Sequence, residues 1–157
     1  KKREMETIDL VYTAGTVIDG FQTETEEKGI TISTDLPEEM TLTADAGEIE
    51  MILNNLISNA VKYNRNNGTV HVEISGDETY AKIKVSDTGI GMTEEESAKL
   101  FEDFMRIKND KTRHVEGSGL GLSTVKKLAT LYGGDVSVDS EPDIGTTVEV
   151  TLRSQKS

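Results

Sequence analysis

The strongest constraint in this 157-residue sequence is an apolar stripe at helical spacing, which directly precedes segments of strand-like alternation. Asp45 and Glu48 form a capping-box pattern just before the stripe. Apolar residues every three or four positions are typical of a helix that buries one face; here they are Ile49, Ile52, Leu53, Leu56, Ile57 and Ala60. The pattern predicts one long helix with its apolar face in the core.

Two pairs of alternating segments follow the stripe. The first pair covers 70–74 and 81–85, joined by Gly-Asp-Glu-Thr, and the second covers 135–140 and 146–152, joined by Glu-Pro-Asp-Ile-Gly. Alternation with a period of two around a short polar turn is typical of β-hairpins. We therefore predict two hairpins, with a further helix between them.

The N-terminal third of the chain predicts another helix and two short strands. Apolar residues at helical spacing indicate a first helix over about 11–28, with Gly29 as its C-terminal stop. The β-branched runs 30–33 and 41–44 favour strands on either side of a turn. The expected order is helix, strands, helix, hairpin, irregular segment, helix and hairpin.

Composition limits the class of protein. The length predicts a single domain, which we place over 8–153, with 1–7 as the remnant of a preceding helix or linker and 154–157 as a tail. A net charge of −12 argues against binding nucleic acid, which requires lysine and arginine. There is no cysteine and no apolar run of membrane-spanning length, so we expect a cytoplasmic protein without direct membrane contact. The charged start without methionine suggests a portion of a longer chain.

Three glycines at alternate positions, Gly117, Gly119 and Gly121, come directly before a predicted helix. Glycine lets backbone N–H groups approach an anion, and a helix N-terminus adds the positive end of its dipole. A P-loop is excluded because no Lys-Ser or Lys-Thr pair follows, and a Rossmann turn is excluded because no strand precedes the glycines. Phosphate binding and a simple flexible hinge both remain open on this segment alone.

A second glycine-containing motif, Ser-Asp-Thr-Gly-Ile-Gly-Met, begins where a predicted strand ends at Asp87. A carboxylate in this position is able to accept a hydrogen bond from an exocyclic amine such as adenine N6. Gly89 and Gly91 would let the backbone approach a flat ring. Alone, the motif is equally compatible with an ordinary turn.

One flank of the long helix carries polar residues beside the apolar stripe. Asn55, Asn59 and Lys62 fall together there, and Tyr63 lies nearer the apolar side. Amide oxygens are hard ligands that suit Mg²⁺, a lysine supplies a charge for phosphates, and an aromatic ring is able to flank a nucleobase. An ordinary solvated helix face is the alternative interpretation.

Five motifs in order resemble the ATP-binding domain of sensor histidine kinases. They are NLISNAVKY, DTGIGM, FEDFMR, GSGLGL and GTT, which are similar to the N, G1, F, G2 and G3 boxes over residues 8–152. The resemblance implies an α/β two-layer sandwich of the Bergerat type, with a mixed sheet of about five strands, three helices on one face and a long ATP lid over about 88–117. The glycines at 117–121 would then form the C-terminal hinge of that lid.

The same resemblance implies roles for individual residues. ATP and Mg²⁺ are the expected cofactors, with Asn59 as the metal ligand and Asn59, Lys62 and Arg106 as the catalytic residues. The other nucleotide-binding residues that it implies are Asn55, Tyr63, Asp87, Gly89, Ile90, Gly91, Gly117, Ser118, Gly119, Leu120, Gly121 and Thr146. Positive charge at Arg106–His114 in an otherwise acidic chain would attract a nucleotide.

Two departures from the motifs of the family, and the positions of the two histidines, bear on which reaction the domain carries out. Val148 stands where the third glycine box usually ends in an aromatic residue, and Asn55 occupies the position of the water-activating glutamate of hydrolytic relatives. Neither His71, predicted to face solvent, nor His114, in the lid, lies in a phosphoacceptor context. We therefore expect transfer of the γ-phosphoryl group to a histidine on a separate dimerisation domain that is absent from this sequence. The kinase would form a homodimer through that domain. A response regulator is the further expected partner.

Three other functions are compatible with these motifs. They are an ATPase of the same superfamily, a serine kinase of the anti-sigma type, and a nucleotide-binding module without chemistry. The asparagine at position 55 argues against hydrolysis, and the FEDFMR motif favours a sensor kinase over a serine kinase.

Overall fold

The computed structural model describes residues 2–101 and 121–155 of the chain. In chain order the elements of these residues are β1 (Met5–Asp9), α1 (Leu10–Asp19), α2 (Gln22–Lys28), β2 (Thr31–Asp35), β3 (Thr41–Asp45), α3 (Ala46–Lys62), β4 (Thr69–Gly76), β5 (Tyr80–Asp87), α4 (Glu94–Ala98), α5 (Gly121–Leu131), β6 (Asp135–Glu141) and β7 (Gly145–Arg153). No helix within 2–101 or 121–155 has the length and apolar character to cross a membrane.

The main sheet has five strands in the order β2-β4-β5-β7-β6. Strands β2 and β4 are parallel, and the other neighbours are antiparallel, so the sheet is mixed. Both predicted hairpins are present, as β4–β5 and β6–β7. The central pairing of β5 with β7 places Asp87 opposite Thr146, so the ends of two strands that carry separate motifs meet at one edge.

Helices cover one face of this sheet. The long helix α3 packs against β5 and against both α1 and α5, and all six residues of the predicted stripe are buried. Alternate strand residues point toward the helices and are buried, for example Val72, Ile83 and Val150. Burial of an aliphatic side chain contributes about 1.5–3 kcal/mol, so α3 is the main anchor of the core. The two-layer sandwich expected from the resemblance is confirmed.

Only half of the predicted capping box at the start of α3 forms. The Asp45 carboxylate accepts from the Glu48 backbone N–H at 3.0 Å, as predicted. The Glu48 carboxylate instead accepts from the Tyr132 hydroxyl at 2.6 Å and from the Arg3 guanidinium. The Tyr132 hydroxyl in turn accepts from the Asp45 backbone N–H. Tyr132 is fully buried, so the end of α5 stabilises the start of α3.

The prediction of one helix over 11–28 was wrong because the helix breaks at Gly20. The Gly20 N–H bonds to the carbonyls of both Thr16 and Val17, which tightens and ends α1. The next residue, Phe21, packs its ring against the core before α2 begins. The predicted stop at Gly29 is confirmed, since it adopts the left-handed conformation at φ +69°.

Both predicted short strands are present, and each pairs with a strand that the local pattern did not indicate. Strands β2 and β3 do not pair with each other: β2 joins the main sheet beside β4, and β3 pairs with β1. Residues 5–7, which were expected to belong to a preceding helix or linker, form part of β1. At the other end, the expected tail includes Ser154 and Gln155, which hydrogen-bond to Thr43 of β3. Each short strand gains its ladder from a segment distant in sequence, which local patterns do not reveal.

Candidate functional site

Helix α3 holds the polar flank at the edge of the core. Asn55 and Asn59 are half-buried, and Lys62 is exposed. The Asn55 amide donates to the Met51 carbonyl at 2.8 Å, which leaves its side-chain oxygen directed toward α5. A β-carbon added at Gly121 would lie 2.8 Å from that oxygen. A side chain at position 121 would therefore require the Asn55 carboxamide to move.

Asp87 ends β5 with its carboxylate held by two backbone groups. One oxygen, Oδ1, accepts from the Gly89 N–H at 2.9 Å and from the Thr146 N–H at 3.2 Å. Its other oxygen has no hydrogen-bond partner within the part of the chain that the structure describes. Burial raises the pKa of Asp87 to about 6, although the two N–H donors act in the opposite direction. The carboxylate is thus oriented, and one acceptor remains for a ligand.

The turn after Asp87 is fastened to the end of α3. The Ile90 N–H donates to the Tyr63 carbonyl at 3.0 Å, and a side chain at Gly89 would collide with that same carbonyl. Gly91 has φ +66°, and a side chain there would collide with the Glu141 backbone. Both glycines are required by close backbone approach, which brings the Tyr63 carbonyl against the turn that follows Asp87.

Arg65 clamps this turn from outside and was missed by the sequence analysis. Its guanidinium donates to the carbonyls of Thr88 at 2.7 Å, Gly89 at 3.1 Å and Asp143 at 2.7 Å. The Asp143 N–H donates to the Ile90 carbonyl at 2.7 Å. A single arginine thereby joins the turn after β5 to the turn between β6 and β7. No sequence signal could have found it, because all its acceptors are backbone carbonyls.

Asn64 and Lys28 were also missed. Asn64 is buried, its amide donates to the Thr69 carbonyl at 3.0 Å, and its oxygen accepts from the Thr88 hydroxyl at 3.3 Å. The Lys28 ammonium donates to the Val61 carbonyl at 2.9 Å and to two further carbonyls at the end of α3. Burial lowers the pKa of Lys28, but a cation at a helix C-terminus is stabilised by the helix dipole. Both residues position the end of α3.

Strand β6 supports the beginning of the segment that follows the turn. The Ser140 hydroxyl accepts from the Met92 N–H at 2.9 Å and lies 2.7 Å from the Thr146 hydroxyl. Thr146, a predicted nucleotide-binding residue, therefore contacts Asp87 through its backbone and Ser140 through its side chain. The GTT motif is brought against the DTG motif, with Gly145 packed on the Asp87 backbone.

The structure thus brings together the parts of the predicted site that it describes. Asn55, Asn59, Lys62 and Tyr63 lie along the end of α3, and the other predicted residues are placed beside them by the contacts above. These others are Asp87, Gly89, Ile90, Gly91, Gly121 and Thr146. The remaining predicted site residues lie outside the described residues: Arg106, Gly117, Ser118, Gly119 and Leu120. Phe104 and His114 lie outside them as well.

The two-layer fold, with a carboxylate at a strand end beside an amide-bearing helix, defines an ATP-binding domain of the kinase and gyrase class. The family described as "Histidine kinase-, DNA gyrase B-, and HSP90-like ATPase" matches residues 44–156. The chain belongs to this family and corresponds to the catalytic ATP-binding domain of sensor histidine kinases. The resemblance found in the motifs is confirmed.

One curated relative and one solved structure support this assignment, and a second, more distant solved structure shares the fold. An uncharacterised sensor-like histidine kinase of Rhizobium meliloti is 42% identical over 132 residues, which are 83% of this chain and 25% of that protein. The structure of full-length ShkA in complex with AMPPNP has a TM-score of 0.84 at 28% identity and covers all of this chain and 33% of ShkA. The structure of the histidine kinase ThkA with the response regulator TrrA has a TM-score of 0.79 at 21% identity, covering 96% of this chain and 42% of ThkA. The chain therefore spans about a quarter of the Rhizobium protein's length.

The raised pKa of Asp87 predicts a specific pH dependence of stability without nucleotide. Its pKa is about 6 in the folded chain and 3.8 ordinarily, so its stabilising contribution is complete below about pH 4 and is lost as the pH rises through about 6. We expect Asp87→Asn to raise the free energy of unfolding at pH 7 by about 1–3 kcal/mol, because no buried charge remains. Urea unfolding between about pH 4 and 8 measures this difference, which should vanish near pH 4.

The control for this measurement is Asp139→Asn. Asp139 is an exposed residue of β6 that makes no hydrogen bond or ion pair to residues 2–101 or 121–155. Its replacement should change stability by less than about 0.5 kcal/mol at every pH. A gain for Asp87→Asn that is the same at pH 4 and pH 7 would contradict the assignment of a buried, ionised carboxylate.

Proposed function

We propose that this chain binds Mg·ATP and transfers its γ-phosphoryl group to a histidine on a separate dimerisation domain. The observation that carries the proposal is the convergence of the N, G1 and G3 motifs, together with Gly121, along the C-terminal half of α3. Three contacts produce it: Ile90 with Tyr63, Asp87 with Thr146, and Gly121 with Asn55. The packing of the fold does not require the unpaired carboxylate oxygen of Asp87 or the unpaired side-chain amide of Asn59, which are described below.

At one end of the site, Asp87 recognises the base. Its unpaired oxygen accepts from the exocyclic amine of adenine, while Gly89 and Thr146 hold the other oxygen. An ionised acceptor strengthens such a bond relative to a neutral one. Guanine carries a carbonyl at the corresponding ring position, so the same geometry selects against it. In this proposal Tyr63, which is half-buried at the end of α3, flanks the ring.

At the other end, Asn59 and Lys62 face the phosphates. Neither side chain has a hydrogen-bond or ion-pair partner among the residues described, so both remain available to a ligand. The oxygen of a half-buried carboxamide fits Mg²⁺, which takes few protein ligands and keeps water and phosphate oxygens. Bound there, Mg²⁺ would supply neutralisation of phosphate charge. Lys62, with Arg106 of the FEDFMR motif, adds positive charge that stabilises the transferred group.

Transfer to histidine fits these residues better than hydrolysis. The bond between the γ-phosphorus and the bridging oxygen breaks, a bond to an imidazole nitrogen forms, ADP leaves and the imidazole proton is released. Hydrolysis would need a base to take a proton from water, but Asn55 stands at that position and an amide does not act as a base. Its N–H is already bonded to the Met51 carbonyl.

In this proposal the acceptor histidine belongs to the separate dimerisation domain and not to this chain. His71 is on β4 with its ring hydrogen-bonded to Ser33, on the sheet face opposite the helices and the site. The whole kinase would be a homodimer through its dimerisation domain and would pass the phosphoryl group to a response regulator, as the ThkA complex with TrrA supports. We place this domain in the cytoplasm.

A labelling experiment tests the proposal. The chain is incubated with Mg²⁺ and γ-labelled ATP, alone and with the isolated dimerisation and phosphoacceptor domain of a sensor kinase. We expect ATP binding but no label in the chain alone, and label in the added domain that is lost when its histidine is replaced. Label in the chain itself, or release of free phosphate as fast as transfer, would contradict the proposal.

A further inference from the structure

A second group of metal-ligating side chains lies on the open face of the sheet, away from the nucleotide site. Asp35 on β2 and His71 and Glu73 on β4 each offer one ligand atom, and these atoms all lie within 4.8 Å of one another. Strand β2 is an edge strand and runs parallel to β4. Their register makes Asp35 the neighbour of Glu73, so the backbone itself brings the ligands together.

The imidazole of this cluster is oriented by a residue outside it. The Ser33 hydroxyl lies 2.7 Å from Nδ1 of His71, and the same register makes Ser33 the neighbour of His71. Metal-binding histidines commonly use one nitrogen for such a bond, which sets the tautomer and the direction of the other nitrogen. With Nδ1 engaged by Ser33, Nε2 is the nitrogen left for a metal.

Charge at this position favours a bound cation. Asp35 and Glu73 are neighbouring carboxylates, and neither forms an ion pair with any residue within 2–101 or 121–155. Like charges on directly paired strand residues destabilise a sheet. Lys84 of β5 is the paired neighbour of Glu73 on its other side, but the salt bridge that forms on this face joins Lys82 to Glu149 at 3.1 Å. A cation held between β2 and β4 would offset the repulsion.

We propose that Asp35, His71 and Glu73 form a binding site for a divalent transition-metal ion, with Zn²⁺ as the typical occupant and water completing its coordination. One imidazole with two carboxylates suits Zn²⁺ and its neighbours in the transition series, whereas Mg²⁺ and Ca²⁺ prefer oxygen ligands throughout. The site is separate from Asn59 and does not depend on nucleotide. Because it joins an edge strand to β4, metal binding stabilises the folded chain.

Calorimetric titration of the nucleotide-free chain with ZnCl₂ tests this proposal. We expect one Zn²⁺ per chain and a higher thermal unfolding midpoint with the metal. His71→Ala and Glu73→Gln should each weaken Zn²⁺ binding by about tenfold or more, whereas His114→Ala, which removes the other histidine, should leave it unchanged. Binding of ADP in the absence of zinc verifies that each variant is folded.

Two results would overturn the proposal. One is no saturable Zn²⁺ binding by the wild-type chain, and the other is unchanged affinity in a folded His71→Ala or Glu73→Gln variant. If His71→Ala does not fold, Glu73→Gln decides, because it exchanges only one oxygen for an amide nitrogen. Neither result bears on ATP binding, which is measured separately.

Discussion

Replacement of Asp87 by asparagine is expected to lower the affinity for ATP by about 10- to 100-fold, which corresponds to the 1.5–3 kcal/mol of a hydrogen bond to a charged group. The asparagine oxygen is able to keep both backbone bonds, from Gly89 and Thr146, that Oδ1 now accepts. The amide nitrogen then replaces the unpaired oxygen. Two donors, this amide and the adenine amine, would face each other, and the bond to the base is lost.

The same substitution should move binding and stability in opposite directions. The carboxylate is costly to the fold when buried and ionised, in line with its raised pKa, whereas in the proposed function the same charge strengthens the bond to the base. Calorimetry with ADP near neutral pH, together with the urea measurements described above, tests both effects on one protein. The control is again Asp139→Asn, which should bind ADP as the wild type does. Equal affinity of wild type and Asp87→Asn would remove Asp87 from the site.

Replacement of Asn59 by alanine is expected to slow Mg²⁺-dependent phosphotransfer to an added phosphoacceptor domain by about 100-fold or more, the scale found when a group that stabilises transition-state charge is removed. Asn59 is half-buried on α3, and its side chain makes no hydrogen bond within the described residues, so alanine removes no hydrogen bond that holds the fold. Nucleotide affinity measured with EDTA should change by less than about threefold, since the role proposed for this residue acts through the metal.

Asn54→Ala is the matched control for Asn59→Ala. Asn54 lies on the same helix but is exposed on its other flank, so its removal should leave transfer and binding unchanged. Unchanged transfer by Asn59→Ala would contradict the metal role. An equal loss of affinity with and without Mg²⁺ would instead mean that Asn59 contacts the nucleotide directly.

Several elements were predictable because their causes are local. The stripe of α3 follows from a 3.6-residue period, both hairpins follow from alternation around a polar turn, and the stop at Gly29 follows from glycine's tolerance of positive φ. The roles proposed for Asp87 as a hydrogen-bond acceptor and for Asn59 as a metal ligand could be inferred for a similar reason, since both abilities are properties of side-chain type. The placement of Asp87 at the end of β5 then required only the strand to end where its alternation ends.

The break at Gly20 and the pairing of β2 with β4 had no local cause. The helical pattern continues through Gly20, and the break accompanies the packing of Phe21 against the core. Likewise, the runs 30–33 and 41–44 look alike, yet one enters the main sheet and the other pairs with β1. The strand with which each run pairs depends on which strand edges have unpaired backbone groups. Those edges exist only once the rest of the sheet has formed.

The amino-acid sequence by itself determined helix α3, the two hairpins and the chemical groups that the proposed site offers to a nucleotide, because periodicity and side-chain type are carried by neighbouring residues. Tertiary structure alone decided that Arg65 joins two turns, that Lys28 donates to carbonyls at the end of α3, and that Asp35 lies beside Glu73. The physical reason is that these contacts are made to backbone carbonyls or across paired strands. Such partners become neighbours only after the chain has folded.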